Sequence, residues 1–360
     1  MSNTSSAPVL ERESERAATY PHPHPNAWYH LLDSEEVARG SAKAVNALGE
    51  RFLVTRDEAG TARVLDGYCP HLGAALPEGR MKDGCISCPF HGWQIAPTGA
   101  VAHIPYAERV PKNLAVTCYP SRELDGQIFV WRAQHGSEVA PAFPLESVPD
   151  IESGALRARG TYDGGFVRMH LMEFIENGPD VHHFQKVHAR LHLPWTRINV
   201  PGLGVAINPR WHLDDDRTHV AWLRTYATVS AFGRRFDEIG ATADVEFLGP
   251  GSVARFHFEK PGLGKLLLYQ THTPVSPLLQ RVRFRWFASD SLPRFASWWV
   301  VGHWISQWRD DVQIWESKIH RKRPHLVKED GQILTMRKWF SRFYGETSAA
   351  TPRPRAEMPY

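Results

Sequence analysis

Between residues 51 and 132 the chain carries short apolar runs, at 51–55, 62–65, 85–90 and 127–131, each closed off by turn-forming residues. Runs of four to six residues broken at such intervals predict β-strands, so this portion reads as all-β. A proline-containing stretch, 139–149, reads as the linker into a second domain. There the periodicity is helical over 168–188 and alternates in twos from 195 to 290, as in Val282-Arg283-Phe284-Arg285-Trp286-Phe287. It turns helical again over 296–322, so the second domain is expected to be α+β. Residues 1–20 and 347–360 are polar and unpatterned and read as mobile tails, leaving domains at 21–140 and 141–346. The run Pro21-His22-Pro23-His24-Pro25 should be extended, with its histidines as exposed loop residues.

Length and composition narrow the classes. A chain of 360 residues accommodates two domains at about 150 residues each. Its 42 Lys and Arg against 39 Asp and Glu give a net charge of +3, too even for the basic field that nucleic-acid binding requires. No stretch reaches the roughly 20 apolar residues of a membrane span. The longest candidate, 295–308, is interrupted by Ser297, His303, Ser306 and Gln307. The N-terminus, with Glu11, Arg12, Glu13 and Glu15, lacks the apolar core of a signal peptide. A soluble cytoplasmic enzyme without nucleic acid or membrane span is therefore expected. Four cysteines are too few for a disulfide framework and direct attention to metal chemistry, as do 19 histidines.

Cys69-Pro70-His71 and Cys88-Pro89-Phe90-His91 lie within the expected β-domain, on loops with Gly67, Gly73, Gly84 and Gly92 nearby. Two thiolates and two imidazoles can bind one zinc ion, or hold a 2Fe-2S cluster with both cysteines on one iron and both histidines on the other. A zinc knuckle built on Cys85-x-x-Cys88 would strand one of the histidines. The pairing of C-x-H with C-x-x-H closely resembles the Rieske signature. Cys85 and Cys118 are then left over as small apolar packing residues.

A second constellation follows in Glu176-Asn177-Gly178-Pro179-Asp180-Val181-His182-His183-Phe184-Gln185-Lys186-Val187-His188. Asn177 with Pro179 reads as a helix start. At about 100° per residue Asp180 and His183 share a face, His182 points away, and His188 stands roughly 140° from His183. Convergence of His183 and His188 on one metal therefore requires a π-bulge or a helix that ends between them. Two histidines need a carboxylate to complete an oxygen-activating iron site, and it has to come from elsewhere. In the late helix Trp304, Ile305, Trp308, Val312, Trp315 and Ile319 form one apolar face. Asp311 lies at its edge, where a buried charge needs a partner, and Asp310 lies on the solvent side.

Together these motifs resemble the α-subunit of Rieske non-heme iron oxygenases over roughly residues 28–346. The resemblance implies an N-terminal all-β Rieske domain followed by a helix-grip catalytic domain, an antiparallel sheet with helices round a substrate cavity. It implies Cys69, His71, Cys88 and His91 as cluster ligands, and His183, His188 and Asp311 as ligands of a mononuclear Fe(II). Asn177 and Asp180 correspond to further motif positions. Asp180 is expected to bridge to a neighbouring chain in a head-to-tail homotrimer, linking His183 on its own chain to His91 on the next. Finer matches, Pro25-Asn26-Ala27-Trp28-Tyr29 and Asp311-Val312-Gln313-Ile314-Trp315 among them, resemble the cholesterol 7-desaturases. Ile104-Pro105-Tyr106 with Arg109-Val110-Pro111 is similar to the 3-ketosteroid 9α-hydroxylases, and Lys82-Asp83-Gly84-Cys85-Ile86 to arylamine oxygenases.

The implied function is hydroxylation or desaturation of a large apolar, sterol-like substrate with O2. The alternatives are an aromatic or arylamine substrate, a Rieske electron-transfer protein without oxygenase activity, and a zinc-stabilised binding module. Gly202-x-Gly204 and Gly262-x-Gly264 lack the third glycine and βαβ setting of a dinucleotide site. Electrons from NAD(P)H are thus expected through a partner reductase, with or without a ferredoxin. The basic run 318–323 reads as a solvated helix end.

Overall fold

The computed structural model of the chain describes residues 7–134 and 140–345, so the start of the expected linker and the C-terminal tail lie outside the described residues. The N-terminal domain is built from eleven short strands: Ala27–Asp33 (β1), Ser41–Ala47 (β2), Glu50–Arg56 (β3), Ala62–Asp66 (β4), Arg80–Lys82 (β5), Cys85–Ser87 (β6), Gln94–Ile95 (β7), Val101–His103 (β8), Cys118–Tyr119 (β9), Ser121–Leu124 (β10) and Gln127–Arg132 (β11). They form three antiparallel sheets, ordered β1-β11-β10, β2-β3-β4-β9 and β5-β6-β7-β8. Strands of the second and third sheets share a separate small core, in which Leu53, Leu65, Leu76, Ile86 and Ile95 pack beside Cys69 and Cys88.

The second domain contains Arg157–Val167 (β12), Arg190–His192 (β13), Asn199–Leu213 (β14), Val220–Ala231 (β15), Arg234–Leu248 (β16), Val253–Lys260 (β17), Gly264–Ser276 (β18) and Leu279–Ala288 (β19). These make one eight-stranded antiparallel sheet in the order β12-β19-β18-β17-β16-β15-β14-β13. The helices are Ala7–Thr19 (α1), Pro149–Glu152 (α2), Leu171–Glu176 (α3), Val181–Val187 (α4), Arg294–Ser317 (α5) and Ile333–Ser341 (α6). Helix α5 packs against both β12 and β13, the two edges of the sheet, so the sheet curls round it. This is the α+β arrangement expected from the change of period along the chain. Alternation along β18 sends Leu266, Leu268 and Gln270 inward, while Thr273 donates to the His30 carbonyl of the N-terminal domain at 2.7 Å.

Five expectations are corrected. Residues 7–19, read as tail, form α1, because Arg16 finds the carbonyl oxygens of Trp315 and Lys318 at the end of α5 and satisfies groups the helix leaves unpaired. The late helix stops at Ser317, not 322, and Ile319 is exposed rather than part of the apolar face. Lys318 is no solvated helix end: its ammonium lies 2.6 Å from Glu173 and 3.1 Å from Glu176 in a largely buried cluster. Cys118 is exposed, and His24 is packed closely enough that burial lowers its pKa to about 3.

Candidate active site

Two loops of matching geometry carry the first constellation. Cys69 N–H donates to the Ala74 carbonyl at 2.8 Å and Gly73 N–H returns to the Cys69 carbonyl at 3.0 Å. Cys88 and Trp93 repeat the first bond at 2.8 Å, Gly92 and Cys88 the second at 3.0 Å. Each turn closes through a glycine with positive φ, 75° at Gly73 and 73° at Gly92, where a side chain would be strained. Both cysteines are thereby buried and adjacent, and the rings of His71 and His91 stand 4.7 Å apart. Trp93 stacks on His71 at 4.6 Å and donates its indole N–H to the Tyr106 hydroxyl at 2.8 Å.

This donor set fits a 2Fe-2S group on two observations. The His71 Nδ1 is buried without a hydrogen-bond partner, and a buried ring nitrogen without one calls for a ligand. Burial, with the Cys88 thiol beside it, pushes the Cys69 thiol up to about 11, so a thiolate pair there requires a cation. Cys85, by contrast, sits half-buried at the start of β6.

The second constellation forms where α3 and α4 meet α5. Asn177 does not start a helix as expected; it caps the C-terminus of α3, and its side-chain oxygen accepts from Trp315 Nε1 at 3.3 Å. The chain breaks at Gly178, where a Cβ would approach Trp211 to 2.9 Å, and Pro179. Helix α4 then starts afresh with Asp180 as N-cap, its Oδ1 accepting from the His183 N–H at 3.3 Å. The ring Nδ1 of His183 turns to the Asp180 carbonyl oxygen, so within the chain it is the backbone of Asp180 that orients this ring. The carboxylate expected to meet the ring is drawn to the first turn of the helix instead.

Helix α4 ends at Val187 and His188 is its C-cap, with φ −106° and ψ 11°. Ending the helix between the histidines removes the angular gap that an ideal helix would impose, and their rings stand 5.2 Å apart. The Asp311 carboxylate, buried at the edge of the tryptophan face of α5, lies 3.1 Å from His188 Nε2. One donor atom from each of His183, His188 and Asp311 lies within 4.8 Å of the others, a spacing that could hold a single metal ion. Asp310 points away and pairs with His192 Nε2 at 2.9 Å, while His182 bonds the Glu329 carbonyl at 2.9 Å. Arg309, the other conceivable partner of Asp311, is committed to the Trp195 carbonyl at 2.7 Å and the Tyr162 hydroxyl at 2.8 Å.

Gln307, read in the sequence only as an interruption of an apolar run, accepts from His188 Nδ1 at 2.8 Å and donates to the Arg190 carbonyl at 2.9 Å. Its position one turn before Asp311 was the available signal. The bond fixes the proton on Nδ1 and leaves Nε2 toward Asp311. Burial lowers the affinity of His183 for a proton. Burial opposes the charge on His188 as well, but Asp311 and Gln307 together raise its pKa.

Beside the triad lies a narrow cleft of about 40 Å³. Phe174, Leu223, Val245, Phe247 and Phe256 supply its apolar wall, and Trp304, Trp308 and Trp315 close it from α5. Among the described residues no helix is long and apolar enough to cross a membrane.

Comparison with known proteins agrees with both halves of this description. Residues 27–120 match the family model of the Rieske [2Fe-2S] domain, and residues 130–344 that of the 3-ketosteroid 9alpha-hydroxylase C-terminal domain. A cholesterol 7-desaturase of Ciona intestinalis is 32% identical over 355 residues, covering 95% of this chain and 73% of that protein. The cholesterol 7-desaturase of Caenorhabditis elegans is 32% identical over 349 residues, covering 92% of this chain and 80% of its own. A probable 3-ketosteroid-9-alpha-monooxygenase oxygenase component of Rhodococcus rhodochrous is 27% identical, covering 93% and 83% respectively. The crystal structure of dicamba monooxygenase bound to dicamba superposes with a TM-score of 0.64 at 18% identity, over 89% of this chain and 97% of that one, a likeness of fold. The chain belongs to the Rieske non-heme iron oxygenases, enzymes that carry a Rieske 2Fe-2S cluster and a mononuclear iron, and within them to those with a 3-ketosteroid 9α-hydroxylase-type catalytic domain.

Proposed function

We propose that this oxygenase hydroxylates or desaturates a large apolar alicyclic substrate of the sterol class. The observation that carries the reading is the cleft beside the triad, walled almost entirely by aromatic and aliphatic side chains. Nothing in that wall offers a charge for an acidic aromatic substrate, and burial of apolar surface is the interaction it supplies. The names of the relatives, cholesterol 7-desaturases and a 3-ketosteroid monooxygenase, support the same class. On this reading the aromatic walls part to admit the substrate, which is larger than the cleft as it stands.

In this reading Cys69, His71, Cys88 and His91 hold the cluster, and His183, His188 and Asp311 hold the iron. When bound, these groups supply single electrons and the reductive activation of O2, chemistry the side chains cannot perform. The chain's own part is to set geometry and exclude water. Gln307 fixes the His188 ring, the Asp180 carbonyl fixes that of His183, and the tryptophans of α5 keep solvent from the substrate. A partner reductase, with or without a ferredoxin, supplies the electrons from NAD(P)H.

Leu72, Phe90 and Tyr106 are exposed around the cluster histidines and make an apolar collar suited to docking on a second copy of the chain. This supports a head-to-tail homotrimer, with Asp180, whose carbonyl oxygen holds the His183 ring, reaching His91 of the partner subunit and Asn177 holding the turn before it. The test is turnover of the iron-loaded protein with a surrogate reductase, O2 and either cholesterol or a 3-ketosteroid. Gain of one oxygen atom or loss of two hydrogen atoms, read by mass spectrometry, supports the reading and separates hydroxylation from desaturation. Turnover of arylamines with no sterol product overturns it.

A further inference from the structure

The inner face of β18 reads Leu266, Leu268, Gln270, His272, and the last two interrupt an apolar series although both are fully buried. A sheet interior gains nothing from an amide and an imidazole where two leucines would fit, unless their polar atoms are used. Gln270 lines the same cleft as His183, His188 and Asp311. Its Oε1 accepts from Trp304 Nε1 at 3.3 Å, and its amide nitrogen donates to His272 Nε2 at 2.8 Å. The ring of His272 is stacked on Phe174 at 4.1 Å, and its Nδ1 is buried without a partner. Burial lowers the pKa of this ring to about 3, so it is neutral and can accept from the amide.

A carboxamide has two N–H donors and two oxygen lone pairs. Trp304 and His272 occupy one of each and hold the amide plane between them, which leaves one donor and one acceptor uncommitted within the described residues. In a cleft whose wall is apolar apart from the triad and Asn177, the latter already engaged by Trp315, that pair of atoms is a ready-made position for one oxygen of a ligand. A hydroxyl uses both, accepting from the amide N–H and donating to Oε1, whereas a carbonyl oxygen uses only the first.

We propose that Gln270, held in place by Trp304 and His272, is the polar anchor of the cleft and hydrogen-bonds an oxygen, best a hydroxyl, carried on the alicyclic frame of the substrate. The anchor rests on the proposed substrate class and deepens it: the substrate is an alicyclic alcohol, located at its oxygen end by Gln270 and free to present a C–H bond to the triad. His272 is a positioning residue that aims the amide.

The test is calorimetric binding to the iron-loaded full chain, with trans-2-decalol, trans-2-decalone, trans-decalin and cholesterol as probes. The wild-type protein should bind decalol at least about tenfold more tightly than decalin, with decalone between them. Gln270→Met should bring that ratio to about one by weakening the alcohol and not the hydrocarbon. His272→Phe keeps the stacked ring and fills the same space, so it gives a reading even where Gln270→Met folds poorly. It should lower the ratio part-way and leave decalin affinity unchanged. An unchanged ratio in both variants overturns the anchor while leaving the apolar cleft intact. An alcohol preference lost in Gln270→Met, without any binding of cholesterol, supports the anchor and overturns the sterol reading. Binding of no probe at all overturns both.

Discussion

Replacing Gln307 by leucine tests whether the buried amide behind His188 governs metal retention. The change keeps the size of the side chain but strips His188 Nδ1 of its acceptor, 2.8 Å away, and the Arg190 carbonyl of a donor at 2.9 Å. Each buried group left unpaired costs about 1–3 kcal/mol, and relaxation of the β13 backbone recovers part, so the metal-free protein should lose about 2 kcal/mol. The iron site should lose more specifically. Partners that orient a metal-binding histidine are worth about 10–100-fold in affinity. Taking about thirtyfold, and iron at about 100 times the wild-type dissociation constant, stabilisation by the ion falls from about 2.7 to about 0.9 kcal/mol. The assay is thermal unfolding with and without Fe(II), alongside iron retention against a competing chelator. A Gln307→Leu protein that melts earlier yet shows the wild-type iron-induced shift refutes the orienting role and leaves Gln307 as a structural amide. Gln307→Glu, which keeps an acceptor for His188, should retain iron better than the leucine variant.

His183→Ala should lose about one iron atom per chain while the visible spectrum of the cluster persists, which metal analysis and absorption spectroscopy check together. Asp180→Asn should fold normally, since asparagine caps α4 as well as aspartate does, and should keep both metal centres; single-turnover electron transfer should nevertheless slow at least about tenfold, and an unchanged rate removes Asp180 from the path. Glu246 is buried against Arg255, Arg217 and His257; burial alone would raise its pKa, but these partners bring it down to about 2. Because its folded pKa lies below the unfolded value near 4.5, its stabilisation of about 3 kcal/mol is present above pH 4.5 and is lost as pH falls towards 2. Glu246→Gln should flatten the unfolding free energy over that window, and a profile identical to wild type contradicts the assignment.

What was legible in the sequence was chemistry at short spacing. Cys69 with His71 and Cys88 with His91 each lie within one turn, so residue type and separation carried the reading without knowledge of the sheet beneath. His183 and His188 were legible as a problem in helix geometry, and the structure solves it with a helix that ends at Val187. Asp311 was singled out because a carboxylate at the edge of a tryptophan face demands a partner and the two preceding motifs supplied a reason for one, and the structure sets it beside His188. The N-terminal helix was missed because its determinants are distant. Arg16 is unremarkable until the carbonyl oxygens of Trp315 and Lys318 are brought to it. The start of α4 was misplaced because Asn177 and Asp180 are both good caps, and packing of Trp211 against Gly178 decides between them.

The same distinction explains why the two amides of the site escaped notice. Gln307 interrupts an apolar helix run and Gln270 an apolar strand series, and in a sequence each looks like a defect in a hydrophobic pattern. Helix α5 sets down Trp304, Gln307, Trp308, Asp311 and Trp315 at one-turn steps, so a single face supplies wall, orienting amide and carboxylate together. The curled sheet brings Gln270 to Trp304 on that face. The polar interruptions thus serve one site, Gln270 against Trp304 at the cleft and Gln307 behind His188, only because helix and sheet are folded together. Their roles belong to the register between a helix and a strand, information that neither period contains on its own.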